Sequence, residues 1–528
     1  MNEFIHDWNT DKFGMFIHYG IWSSPGGVWK GKRVTRGYSE MILPCQEPDN
    51  PISDEEYAAL SHEFTAENFK ADEIASLAKS AGMSFIVLVS KHHDGFCLFK
   101  TKTTKYNSVD TAAGRDLVKE MAEACERVGL KFGLYWSWID WHAPAALTYS
   151  DHNSDPITDD HQKMNLAQVE ELLTQYGPIC QLWFDMGAPT FRQSKEMADL
   201  VRRVQPETMI NGRIWNGHED FLVLADNEIP DFKMDVPWQT PATLFPNTWG
   251  YRSWQERCEL NIKIKEKIRD LAKITARGGQ YLLNIGPKGD GCLVEYESDV
   301  MKGIGTWLET FGDAIYHTKA NPWKEAETYA CSLSSNAVNV FLFDLPSNET
   351  VELLGIKTVP DTVYSMKTGK KFEFSLTDEG LRIFGVNYLD DDNLPTIRVQ
   401  FSRSPSIVQN PTRIKRNDKL PEATYTRYYH GRDYYTYTHY INKMEWTLIK
   451  SWGDTATVSW YTEEPLKEDI ELVFTSGFGK YTVLKATKGE RRGVVSEIDD
   501  WRIDQVKELS ISLASGDGIP EDLALYID

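Results

Sequence analysis

The chain has 528 residues, 41% hydrophobic and 26% charged, and acidic residues outnumber basic ones to a net charge of −21. This is globular composition with apolar content for large cores, at a length that suggests roughly two to four domains. So negative a balance argues against nucleic acid or an anionic membrane as partner, because phosphate binding needs a basic surface.

No run is long or apolar enough to span a bilayer. The seven cysteines (Cys45, Cys97, Cys125, Cys180, Cys258, Cys292 and Cys331) stand singly, with no C-x-x-C. They read as mostly small buried apolar residues, not as a disulfide framework. The opening stretch Met1–Trp8 has neither a basic n-region nor an apolar h-region. The expectation is a cytoplasmic protein, or a secreted or periplasmic one whose signal peptide is missing from this sequence. The 17 Trp residues suit a sugar-binding cleft, where flat rings meet pyranose faces, and equally suit core filling.

Taken in order, Phe13–Gly20 (FGMFIHYG) reads as a strand that delivers His18 to its end, followed by a Gly/Pro/Ser/Trp loop and then Glu40. An amphipathic helix is expected over Asn68–Ser80, and a buried strand over Phe85–Val89 runs into KHHDGF, with His92 and His93. Arg115–Val128 reads as a helix closed by Gly129, Lys131–Trp138 as a strand carrying Tyr135, and Met164–Tyr176 as a helix. The apolar run from Ile179 to Phe184 is a strand buried on both faces, with Trp183 in it and Asp185 at its C-terminal end. A helix over Lys195–Val204 and a strand over Thr208–Arg213 follow. His218–Arg252 is polar and rich in Pro, and reads as irregular. A helix over Gln255–Ala276, a strand over Gly279–Pro287 and a helix over Met301–Phe311 complete this part. Beyond Trp323 the texture changes to short alternating runs, such as Ala337–Phe343, Thr396–Phe401, Thr455–Tyr461 and Val506–Leu513. That pattern is typical of β-sandwiches.

Strand–helix alternation with short connections fits a barrel or a doubly wound sheet, and no nucleotide-binding glycine pattern favours the latter. In a barrel, residues at C-terminal strand ends form the active site. Here they are His18, His92, His93, Tyr135, Trp183, Asp185 and Arg213, with Glu40 nearby. A zinc site is one alternative, but adjacent strand residues such as His92 and His93 point to opposite faces and do not easily grip one ion. No G-x-S-x-G nucleophile elbow appears. One carboxylate among Trp, Tyr, His and Arg suits a polyhydroxylated substrate, for which glycosidases use a pair of carboxylates.

In order, FGMFIHYG, the Glu40 segment, KHHDGF, GLYWSW, LWFDMG, NGR, Trp249-Gly250-Tyr251, LLNIGP and the segment Ile304–Thr318 resemble the motifs of the retaining α-L-fucosidases of glycoside hydrolase family 29. The resemblance spans roughly residues 8 to 325. It implies an irregular (β/α)8-like, TIM-type barrel that lacks one or two helices, followed by C-terminal β-sandwich domains. The organisation it suggests is a catalytic barrel over 1–320, a β-sandwich over 321–402, a linker over 403–421, and a second β-rich domain or extension over 422–528. It implies exo-acting hydrolysis of terminal fucose from a fucosylated glycan by double displacement, with no cofactor and no metal.

By the same resemblance Asp185 falls on the family nucleophile, and His18, Glu40, His92, His93, Tyr135, Trp183 and Arg213 fall on sugar-binding positions. The acid/base does not match directly: after Asp220-Phe221 the family's T-P-E stretch is replaced, and Trp238-Gln239 stands where a W-E is common. Asp226 aligns best with the missing carboxylate, Glu228 is second and Glu219 third; in an extended segment Asp226 and Glu228 would share a face. The departure leaves open a carbohydrate-binding protein on a degenerate barrel, or a metal-dependent barrel hydrolase. Linkage, aglycone and oligomeric state are not legible.

Overall fold

The structure is a computed structural model that describes residues 8–145, 155–223, 225–230, 237–320, 328–377, 380–387 and 393–407, and shorter β-stretches between 426 and 527. Its first part is an eight-stranded parallel sheet. The strands are β1 (Phe13–Ile17), β2 (Phe85–Lys91), β3 (Lys131–Ser137), β4 (Gln181–Asp185), β5 (Met209–Ile210), β6 (Leu222–Val223), β7 (Trp238–Ala242) and β8 (Gln280–Ile285). Neighbours run β5-β4-β3-β2-β1-β8-β7-β6, and the two ends of that order meet at a parallel bridge between Asn211 and Phe221. The sheet therefore closes on itself in sequence order, as a (β/α) barrel does.

The longer helices are α1 (Ala71–Ser80), α2 (Leu117–Val128), α3 (Asp159–Gln175), α4 (Phe191–Val204), α5 (Leu260–Ala276) and α6 (Glu295–Phe311), and a short helix, Asp54–Ala59, precedes α1. Among the described residues no α-helix joins β5 to β6 or β6 to β7. The stretch expected to be irregular thus contains two short barrel strands. Pro241 lies within β7, where it pairs with Leu282 of β8, while β6 reaches only Trp238 and Gln239. β6 no longer pairs with β7 at Pro241, whose carbonyl instead accepts from Asn227 N at 3.0 Å, and a strand tolerates Pro where its ladder ends.

Period-two alternation sorts each barrel strand between two cores. Phe13, Met15, Ile17, Ile86, Leu88, Leu134, Trp136, Leu182, Phe184 and Leu283 pack outward against the helices. Phe16, Phe85, Val87, Val89, Tyr135, Trp183 and Leu282 fill the barrel interior with Trp8, Phe221 and Trp249. Three amides floor that interior: Gln239 donates to Gln181 and Gln280, and Trp8 Nε1 donates to Gln181 Oε1 at 3.1 Å.

Several helices start earlier than the apolar pattern indicates, because polar first turns are held by caps. Thr158 accepts from His161 N and starts α3; Thr190 and Gln193 form a capping box that starts α4. α6 also begins early, at Glu295 and without a side-chain cap, whereas α5 begins only at Leu260, after Glu259.

An antiparallel β-sandwich follows the barrel. One sheet orders β9 (Tyr329–Ser334), β10 (Ala337–Leu342), β15 (Thr396–Gln400) and β12 (Thr362–Ser365). The other orders β11 (Thr350–Leu354), β14 (Gly380–Phe384) and β13 (Glu373–Leu376). Val338, Val340, Val351, Leu353, Leu381, Ile383, Ile397 and Val399 form the core between them. Further antiparallel strands include Val458–Tyr461, Ile470–Ser476 and Val506–Leu513. Of the expected linker over 403–421, the part from 408 on lies outside the described residues.

No helix among the described residues is long and apolar enough to cross a membrane. Only Cys97, Cys125 and Cys331 are buried, and Cys258 is exposed, so the expectation of mostly buried cysteines holds for fewer than half. The others lie in turns and loops, where a small side chain is at most partly covered.

Candidate active site

A cavity of about 210 Å³ opens at the C-terminal end of the barrel strands, lined by His18, Glu40, His92, His93, Tyr135, Trp183, Asp185, Arg213 and Asp226 among others. Phe16, Tyr38, Met41, Met186, Ala225 and Trp249 complete its wall. It is smaller than the ~300–1,000 Å³ of drug-sized sites, a scale that suits one sugar ring. A larger hollow of about 960 Å³ lies at the opposite end of the strands, around Trp8, Gln181 and Gln280. Barrel chemistry is not done at that end.

Asp185 occupies the last position of β4, two residues after Trp183 on the same inner face. Its Oδ1 accepts from Arg213 Nη1 at 2.7 Å and its Oδ2 from the Tyr135 hydroxyl at 2.7 Å, with His93 Nε2 3.9 Å away. Burial alone would raise its pKa, but Arg213, His93 and the Tyr135 hydroxyl outweigh it and hold the carboxyl below the ordinary range. The chain turns sharply just after it, at Met186 (φ 60°) and Gly187 (φ 72°). A Cβ on Gly187 would come within 2.8 Å of Trp138 Cβ, so only glycine allows this close approach.

Arg213 is not at a strand end as expected. β5 stops at Ile210, and Arg213 sits in a 3-10 turn over Gly212–Ile214. The turn lays its guanidinium 5.0 Å from the Trp183 ring centre and lets its second branch, Nη2, reach Asp226 Oδ1 at 2.5 Å. Asp226 Oδ2 accepts from Trp249 Nε1 at 3.2 Å.

Asp226 and Glu228 do not share a face. Asn227 between them has φ 61°, and its side chain accepts from Thr243 N at 2.7 Å, so the segment is a tight turn and not an extended piece. Asp226 points into the cavity; Glu228 folds back so that its Oε2 accepts from Ala225 N at 3.1 Å. Neither Glu228 nor Glu219 lines the cavity.

His92 and His93 both line the cavity, contrary to the opposite faces that strand alternation predicts. The β2–β3 register shifts between Val89 and Lys91, and β2 ends at Lys91, so both imidazoles lie beyond regular strand with ring centres 3.8 Å apart. His93 Nδ1 is 2.7 Å from Ser137 Oγ, and His18 Nδ1 is 2.7 Å from Asn284 Oδ1. Burial pushes His18 down to about 3 and His93 down to about 4, against the opposing pull of Asp185 on both; His92 is lowered for the same reason. Neutral imidazoles both donate and accept, as sugar hydroxyls require. Among the described residues no group of three His, Cys, Asp or Glu is disposed to hold a metal ion.

Glu40 lies in a 3-10 turn (Ser39–Met41) and accepts backbone N–H bonds from Trp249 at 3.1 Å and Gly250 at 2.8 Å. Burial raises its pKa, and those same donors oppose the rise. Glu40 therefore anchors the Trp249 loop against the β1 side of the cavity. Sequence reasoning missed Trp249, Asn284 and Ser137 as members of the site. Period-two alternation was the available signal for two of them: Ser137 follows Tyr135 by two, and Asn284 follows Leu282 by two.

The chain is similar to known proteins of one kind. Residues 2–313 match the family described as alpha-L-fucosidase. The putative alpha-L-fucosidase of Caenorhabditis elegans is 26% identical over 458 residues, covering 78% of this chain and 92% of that protein. The plasma alpha-L-fucosidase of Rattus norvegicus is 31% identical over 329 residues, covering 58% of this chain and 69% of that protein. Among solved structures, alpha-L-fucosidase isoenzyme 1 from Paenibacillus thiaminolyticus aligns with a TM-score of 0.66 at 28% identity, covering 75% of this chain and 98% of that one. The Thermotoga maritima alpha-fucosidase, solved in complex with fucose, aligns with a TM-score of 0.63 at 27% identity, covering 75% and 96%. With the family matched over more than half of its length and a carboxylate-lined cavity at the barrel mouth, the chain belongs to the α-L-fucosidase family.

Proposed function

We propose that this protein is an exo-acting, retaining α-L-fucosidase that removes terminal α-L-fucose from fucosylated glycans. The observation that carries the reading is the pair Asp185 and Asp226, both facing one cavity and both held by the same guanidinium. One guanidinium bridging both carboxylates keeps them near each other, and retaining enzymes set their two carboxyl groups closer together, at ~5–5.5 Å, than inverting ones, at ~6.5–9.5 Å.

In this reading Asp185 attacks the anomeric carbon while the bond to the leaving oxygen breaks, and that oxygen takes its proton from Asp226. Asp226 then removes a proton from water, which attacks the same carbon and releases Asp185. Asp226 Oδ2 can carry the acid proton and still accept the Trp249 indole N–H, because each carboxyl oxygen has two lone pairs. Arg213 keeps Asp185 ionised, and the Tyr135 hydroxyl orients it. His18, His92 and His93 hydrogen-bond the sugar hydroxyls, and Trp183 and Phe16 supply the apolar floor. Glu40 holds the Trp249 wall in place.

The test is the stereochemistry of turnover. Proton NMR of an aryl α-L-fucoside digest should show α-fucose as the first product, before mutarotation. First-formed β-fucose would replace double displacement by inversion, and absence of any hydrolysis would replace the enzyme by a binding protein.

A further inference from the structure

We infer that Asn284 is a positioning residue that fixes which nitrogen of His18 meets the bound sugar. Asn284 sits on the inner face of β8, 3% exposed and just outside the cavity wall. Its Nδ2 lies 2.7 Å from the carbonyl oxygen of Trp249, and its Oδ1 lies 2.7 Å from His18 Nδ1. A carbonyl oxygen can only accept, so the end of the amide facing Trp249 is the NH2 group. The end facing His18 is then the amide oxygen, which also can only accept. His18 must therefore carry its proton on Nδ1, since the bond made by one ring nitrogen decides the state of the other.

The remaining nitrogen, Nε2, is left with a bare lone pair on a ring that lines the cavity. His18 thus accepts a hydrogen bond from a sugar hydroxyl and does not donate one. The same amide reaches the other half of the site. Trp249, whose carbonyl Asn284 holds, donates its indole N–H to Asp226 and its backbone N–H to Glu40. One buried side chain in LLNIGP so couples the ring that reads the sugar to the wall that positions Asp226.

This inference rests on the reading of the cavity as the fucose site, so its first test uses no substrate. In protein carrying ¹⁵N-histidine, with the His18 signal assigned by its loss in His18→Gln, wild type should show Nδ1 protonated and Nε2 bare. Asn284→Asp keeps an acceptor toward His18 and should keep that tautomer. Asn284→Leu removes the acceptor and should give a mixture, with KM for an aryl fucoside raised roughly tenfold, about the worth of one hydrogen bond, and kcat changed much less. A wild-type ring protonated on Nε2 would overturn the inference. So would an Asn284→Leu protein with unchanged tautomer and unchanged KM. If Asn284→Leu does not fold, the wild-type and Asn284→Asp spectra decide the matter alone. A wild type with the expected tautomer but no turnover would count against the fucosidase reading and leave the assignment of His18 standing.

Discussion

Asp185 and Asp226 are joined through a single guanidinium: Arg213 Nη1 reaches one at 2.7 Å and Arg213 Nη2 the other at 2.5 Å. Two facing carboxylates would repel, and one would be driven to hold a proton. Arg213 offsets that repulsion and keeps Asp185, the proposed nucleophile, charged. The Arg213→Ala variant should therefore lose activity by at least ~10²-fold, the scale of a lost electrostatic contact in a closed site. Its residual activity should also carry a changed pH profile. With the guanidinium gone, burial dominates at Asp185 and its pKa rises, so the acidic limb of kcat/KM on an aryl fucoside moves to higher pH. An acidic limb that stays in place would mean that Arg213 does not control the ionisation of Asp185.

Removing Asp185 itself has a sharper signature. Asp185 is 14% exposed at the side chain and is held from both oxygens, so Asp185→Gly opens space without disturbing the outward-facing core. A folded Asp185→Gly protein should lose at least ~10³-fold in rate, because the covalent route that divides one hard step into two is closed. Azide or formate should restore part of it by entering the vacated volume. Near-normal turnover in this variant would remove Asp185 from the mechanism.

Much of this site was legible because the strands that carry it are apolar on both faces. Runs such as Phe85–Val89 and Leu182–Phe184 must be buried between helices and barrel interior, which left His18, Tyr135, Trp183 and Asp185 with only one place to go. What was not legible depended on departures from regular strand. Arg213 reaches both carboxylates from a 3-10 turn, and His92 and His93 share a cavity because β2 slips its register and then ends. β6 and β7 were hidden because one has two residues and the other contains Pro241, so neither presents a period long enough to read. The relation of Asp226 to Glu228 turned on one left-handed residue, Asn227, whose conformation is held by Thr243 from a distant part of the chain.

A further buried carboxyl lies behind the site. Glu297, in the first turn of α6, accepts from Gly286 N at 2.9 Å, directly after β8 and against the Trp249–Tyr251 loop. Burial raises its pKa from 4.5 to about 8, the Gly286 N–H opposing the rise. Between those values the folded protein holds a proton that the unfolded chain has lost, so this group makes stability fall as pH rises through that window. The slope it contributes is on the order of 1 kcal/mol per pH unit. Glu297→Gln keeps an acceptor for Gly286 and cannot ionise, so its denaturation midpoint should vary less with pH from about 5 to 8 than that of wild type. Parallel curves for the two proteins would show that Glu297 is ionised in the fold.

The identity of the acid is tested by the leaving group. An aryl fucoside departs with little help, whereas a sugar alcohol must be protonated as it leaves. Asp226 faces the cavity and is gripped by Arg213 and Trp249; Glu228 is turned away and spends one oxygen on Ala225 N. Asp226→Ala should thus spare a nitrophenyl fucoside relative to a fucosylated oligosaccharide, with the difference in kcat/KM reaching ~10²-fold, the lower end of general acid catalysis. Azide added to Asp226→Ala should yield α-fucosyl azide from the aryl substrate, since an anion needs no base to attack the covalent intermediate and its attack inverts that centre a second time. Glu228→Ala should change both substrates alike or neither, because its loss loosens the turn without removing a proton donor. If Glu228→Ala discriminates between leaving groups and Asp226→Ala does not, the turn must rearrange when sugar binds, and the acid role passes to Glu228. If neither discriminates, the proton comes from another group of the cavity wall, and Glu40, buried with its pKa raised, is the carboxyl to substitute next.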